Sequence, residues 1–136
     1  MKYMLIMNTP RDGYTQYMSW PRELIEANAA FMESFTKELS NNGELVGAAG
    51  LGAPTQAKLI RAGSNGKPIT DGVFPEFKEY LAGYWIVDVD SPERAYQIAA
   101  DASKAPGAPI KAADGSTIDH LWIEVRQILD SRHDLE

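Results

Sequence analysis

Residues 70–90 read TDGVFPEFKEYLAGYWIVDVD, and the fold turns on how that run is divided. Asp71-Gly72 carries turn chemistry, since Gly accepts positive φ without steric cost and Asp bonds readily to nearby backbone. Pro75 suits the first turn of a short helix, where its missing N–H has no partner to lose. Glu76 and Glu79 then fall near the positive end of that segment's dipole. Gly83 ends the helical pattern. Tyr84 to Val89 is aromatic and β-branched, the composition of a strand.

Toward the N-terminus, Lys2 to Met7 is apolar through its middle and predicts a strand buried on both faces. Asn8 to Ser19, with Pro10, Asp12 and Gly13, reads as a polar loop. Ser19 or Trp20 is placed to cap a helix with Pro21 in its first turn. Leu24, Asn28, Phe31, Phe35 and Leu39 keep helical spacing, and Asn42-Gly43 is the stop. Glu44 to Leu51 reads as a strand weakened by glycines. Gln56 to Ala62 and Lys67 to Thr70 read as a hairpin around Gly63-Ser64-Asn65-Gly66.

Toward the C-terminus, Ser91-Pro92-Glu93 is the clearest helix start: a hydroxyl cap, Pro at the first position and an acid in the first turn. Ala95, Ile98, Ala99 and Ala102 give that helix a stripe of mostly small residues suited to close approach on a sheet. Ala105 to Gly115 reads as a loop. Ile118 to Ile128 reads as one long strand, with Leu121, Ile123 and Val125 opposite His120, Trp122, Glu124 and Arg126. The order is strand, helix, strand pair with a hairpin, helix, strand. That is an α+β chain of the ferredoxin-like βαββαβ pattern with an antiparallel sheet. Two helices cover one sheet face. The other face, expected to carry Tyr and Trp among charges, needs a cover that a second copy supplies. The expectation is a homodimer whose sheets close as a dimeric α+β barrel, with a cleft between sheet and loops.

The 136 residues fit one domain over residues 1–128 with a polar tail over 129–136. At 44% hydrophobic the chain can bury a core. A net charge of -6 and a pI near 4.9 argue against nucleic acid and against an anionic membrane surface as partners. The sequence has no Cys, which excludes disulfides, thiolate metal sites and a cysteine nucleophile. The start, MKYMLIMNTPRDGY, has too short an apolar run for a signal-peptide core or a bilayer span, so a cytoplasmic protein is expected.

Asp71-Gly72-Val73-Phe74, followed by Glu76, Lys78-Glu79 and Gly83-Tyr84, resembles the DGPF motif region of the YCII-related proteins. The start MKYMLIM, the Gly-rich Leu45 to Leu51, the helix at Ser91-Pro92-Glu93-Arg94-Ala95 and the ending Ile123-Glu124-Val125-Arg126 are similar to that family as well. Val73 stands where the family usually has Pro, and Pro75 after the Phe is a second departure. The resemblance implies a dimeric, ferredoxin-like α+β barrel with a small-molecule cleft. Some YCII-like proteins carry a catalytic His–Asp pair, and one branch is similar to cofactor-free dehydrochlorinating enzymes. In this chain no His falls in or near the first long helix. DGPF-type relatives are also associated with extracytoplasmic-function sigma factors, which implies a regulatory, non-catalytic alternative.

Asp71, Glu76 and Glu79 lie close in sequence, and carboxylates held together can compete for one proton, which is one way to make a general base. The competing reading gives Asp71 to a turn and both Glu residues to a helix start. His120 shares its strand face with Trp122, Glu124 and Arg126, and His suits acid or base work near neutral pH. The catalytic candidates are therefore Asp71, Glu76 and His120. The ligand-binding candidates are Tyr3, Phe74, Lys78, Glu79, Tyr84 and Trp122. Tyr3, Tyr84, Trp85 and Trp122 suit either a wall for a flat or phenolic ligand or the core of a dimer interface. No metal and no cofactor are expected, because H-x-H, H-x-x-x-H, GxGxxG and GxxxxGK[ST] are absent, and the absence of G-x-S-x-G argues against a hydrolase elbow. Two functions follow: a small-molecule-binding or cofactor-free enzyme-like domain, and a non-catalytic regulatory domain.

Overall fold

A four-stranded antiparallel sheet is the frame of the chain, whose computed structural model describes residues 1–72, 79–119 and 121–129. Its strands, in their order across the sheet, are β2 (Leu45–Gly50), β5 (Tyr80–Asp88), β1 (Lys2–Thr9) and β8 (Ile123–Gln127). Among the described residues three α-helices accompany it: α1 (Gly13–Met18), α2 (Arg22–Asn41) and α3 (Pro92–Ala102). Two ribbons stand outside the sheet. One pairs β3 (Lys58–Ala62) with β4 (Pro68–Gly72), and the other pairs β6 (Ile110–Lys111) with β7 (Thr117–Ile118). The architecture is mixed α+β, and the sheet is open at β2 and β8.

Local chemistry places the helix ends. The Ser91 hydroxyl accepts the Arg94 amide at 3.3 Å, with Pro92 at the first helical position of α3. Helix α2 starts one residue after Pro21, which holds the extended backbone of the cap. It ends at Asn42-Gly43, where Gly43 takes φ 74° and the Glu44 amide donates back to the Leu39 carbonyl.

One sheet face is covered and the other is not. Register pairs Tyr3 with Val87 and Leu5 with both Trp85 and Val125, so these residues share the face packed by α2 and α3. Leu5, Val87 and Ile98 are fully enclosed there, each stabilising by about 1.5–3 kcal/mol. Ala95, Ala99 and Ala102 let α3 approach, as the stripe predicts. The Trp85 ring meets Phe35 edge-on at 5.3 Å, and its indole N–H donates to the Thr36 hydroxyl. The opposite face holds Met4, Ile6, Tyr84 and Ile86 at its centre, all partly exposed, with Lys2, Asp88, Glu124 and Arg126 around them.

Several expectations are corrected. Residues 13–18 form α1 rather than part of a polar loop. Asp71-Gly72 belongs to β4, paired with Leu59 and Lys58, rather than to a turn. The short helix expected at Pro75 lies outside the described residues. Strand β5 starts at Tyr80 and runs through Gly83, which does not interrupt it. A Cβ at Gly83 would sit 2.8 Å from the Ala49 carbonyl oxygen, so Gly serves close strand packing there. The hairpin does not join the main sheet. The long C-terminal strand is broken, because β7 pairs with β6 while β8 pairs with β1. Strand β1 is not buried on both faces. Tyr3, at 6% exposure, and Trp85, at 3%, lie in the core beneath the helices and not on the uncovered face with Tyr84.

Candidate functional site

The last residues of β1, helix α1, the start of α2 and the turn after β2 converge on one apolar cleft of about 320 Å³. A one-residue shift in the β1–β5 register between Met7 and Asn8 leaves Ala82 unpaired with β1 at the cleft wall. The Ala82 carbonyl accepts the Leu51 amide at 2.8 Å, which holds the Gly50-Leu51-Gly52 turn beside it. Met7 and Met32 form the apolar floor. A smaller recess of about 100 Å³ shares Met7, Trp20, Asn28, Met32, Ile110 and Leu121 with the cleft and continues toward Ser103 and Asp119.

Three aromatic rings line one side. Tyr14 and Tyr17 lie a helical step apart on α1 with centroids 6.4 Å apart, and Tyr17 meets Trp20 at 5.0 Å with planes tilted by 59°. Tyr14 is largely exposed, and Tyr17 and Trp20 are half-buried. The Trp20 ring is held from behind by the 105–110 segment. A Cβ at Gly107 would come within 2.6 Å of Trp20 Cη2, so backbone lies directly against the indole.

Helix α1 has six residues and no side-chain cap, so something else must fix it. Gln16 supplies that hold. Its Oε1 accepts the Lys111 amide at 2.9 Å, and its Nε2 donates to the Lys111 carbonyl and to Asp12 Oδ1, each at 3.0 Å. The side-chain amide thus bonds β6 as a neighbouring strand would. Across the cleft, Asn28 Nδ2 donates to the Pro106 carbonyl at 2.9 Å. Only the amide nitrogen can make that bond, so the amide is oriented and its carbonyl oxygen remains an acceptor.

The candidates from sequence do not gather here. Asp71 is exposed on β4, and Glu79 is exposed just before β5. Glu76, Phe74, Lys78 and His120 lie outside the described residues. Tyr3 is in the core. Tyr84 lines a different, open groove beside edge strand β2 and α2. Trp122 precedes β8 and is 92% exposed. Sequence reasoning passed over Tyr14, Tyr17, Asn28 and Asp119 as site residues. The available signal was the spacing of Tyr14, Tyr17 and Trp20, which places three rings along one side of a helical turn.

Among the described residues, no three His, Cys, Asp or Glu side chains are grouped to hold a metal ion. No helix among them is long and apolar enough to cross a membrane. The two-point ion pair of Glu44 with Arg94 joins the residue before β2 to α3, away from the cleft. A profile of the YCII-related domain matches residues 1–108. No curated protein matches the chain.

Proposed function

The chain belongs to the YCII-related domain family, and we propose that it is a small-molecule-binding domain that works as a homodimer. The cleft carries this reading. It is concave, mostly apolar, walled by Tyr14, Tyr17 and Trp20, and has a few polar groups at fixed places, which is how binding sites for small organic molecules are built. The described lining offers hydroxyls, one oriented amide and the Asp119 carboxylate, a set suited to holding a ligand.

The dimer is proposed on separate grounds. Strand order β2-β5-β1-β8 with α2 and α3 on one side supports a ferredoxin-like reading, in which the open face is free to pair. Met4, Ile6, Tyr84 and Ile86 form an apolar centre on that face, bounded by charges. Two such faces brought together would close an α+β barrel.

Titration with small aromatic compounds, followed by amide NMR, tests the cleft. Amide shifts should concentrate at Gly13, Gly50, Ala82 and Leu121, and Trp20→Ala should weaken binding about tenfold or more. Shifts confined to other surfaces, or binding indifferent to Trp20, would refute the reading.

A further inference from the structure

The polar groups of the cleft point to the charge of its ligand, and this step rests on the cleft being the binding site. We infer that it selects an organic ammonium, an aliphatic or aromatic body bearing a protonated amine, over a neutral or anionic molecule of the same shape.

Three independent observations agree in sign. The described residues lining the cleft and its recess include no Lys and no Arg, while Asp119 lines the recess. Arg11 and Lys111 flank α1, but neither lines the cleft. Among the hydrogen-bonding groups, Asn28 keeps its oxygen as an acceptor, with one of its two amide hydrogens committed to Pro106. The Leu51 amide, which would otherwise suit an anion, donates to Ala82. Finally, Tyr14, Tyr17 and Trp20 line the cleft side by side, and aromatic rings attract a cation through the negative quadrupole of their faces and repel a carboxylate.

The relative weights matter. Asp119 is exposed, and solvent and salt screen its charge. The rings and the Asn28 carbonyl would act at contact range on a bound ligand, and a cation–ring contact strengthens as the cation is desolvated. The larger share of the selectivity therefore resides in Trp20 and Tyr17, and the smaller share in Asp119.

Calorimetric titration of the full chain at pH 7 with benzylamine, benzyl alcohol and benzoate provides the test, since the three differ mainly in charge. The protonated amine should bind about tenfold more tightly than the alcohol, with benzoate weakest. Asp119→Asn, at an exposed position, should reduce the amine's advantage about threefold. Trp20→Leu should remove most of that advantage. Equal affinity for amine, alcohol and benzoate would overturn the inference and leave the binding cleft standing. Binding of none of the three would overturn both. A preference for amine that survives Asp119→Asn and Trp20→Leu together would also overturn the inference, because the selectivity would then arise elsewhere.

Discussion

Glu44 and Arg94 meet in a two-point ion pair, with Arg94 Nε donating to Glu44 Oε2 and Arg94 Nη2 to Glu44 Oε1, both at 2.8 Å. The pair joins the residue before β2 to the first turn of α3. Hydrogen bonds from Arg94 hold the Glu44 carboxyl below its ordinary value of 4.5, against the opposing effect of burial. A carboxyl whose pKa is lowered on folding stabilises the fold above its unfolded value. That stability is lost as pH falls from about 4.5 through the lowered folded value. Because Arg94 is well exposed, the contribution is modest. Glu44→Gln should cost about 1 kcal/mol at pH 7, measured by urea unfolding, and should flatten the stability profile below pH 4.5. An unchanged acid limb in the variant would show that the pair contributes nothing.

Trp20 and Gly107 form the second test. The indole lies where a methyl on residue 107 would have to go, at 2.6 Å from Cη2. Gly107→Ala should therefore destabilise by about 1–3 kcal/mol and displace the ring that lines the cleft. Trp20→Ala removes the obstacle, so the double variant should show a coupling of at least about 1 kcal/mol in a thermodynamic cycle. Additive effects of the two substitutions would contradict the contact.

The parts of this molecule that were legible in sequence are those whose cause is local. The Ser91 cap, the Gly43 stop and the Ala stripe of α3 each follow from a few adjacent residues, and each is found. Helix α1 was not legible, because its hold comes from Gln16 bonding to Lys111, 95 residues away in the chain. The sequence groups Tyr3, Tyr84, Trp85 and Trp122 as one wall, and the register with β1 divides them, with Tyr3 and Trp85 facing α2 and α3 and Tyr84 on the other face. Asp71 and Glu79 looked like members of one cluster because they are near in sequence. In the fold, one belongs to the hairpin and the other leads into the main sheet. The three rings of the cleft were visible as residues, but without α1 they had no shared side.

Gln16 and Lys111 give the third test. If the side-chain amide is what fixes α1 against β6, Gln16→Ala should cost about 1–2 kcal/mol through two lost backbone partners. The Lys111 amide should exchange with solvent at least about tenfold faster, while the amides of Leu5 and Val87 in the core change only with global stability. Protection at Lys111 that survives the substitution would assign the hold on α1 to other contacts.

Trp122 and the apolar centre of the uncovered sheet face give the last. A side chain 92% exposed beside β8 contributes little to the fold of one chain, so Trp122→Asp should leave the monomer intact. Strand alternation places it on the side of Glu124 and Arg126, next to the face of Met4, Ile6, Tyr84 and Ile86. If two copies cover that face, light scattering at micromolar concentration should report twice the 15.0 kDa of one chain. Trp122→Asp should then weaken association, and Ile6→Lys, at the centre of the face, should abolish it. The melting temperature of the native chain should also rise with protein concentration, and that dependence should vanish in Ile6→Lys. A native chain that stays at 15.0 kDa up to high concentration would mean the face is exposed in solution. The cleft, built within one chain from β1, α1 and α2, would be unaffected by that result.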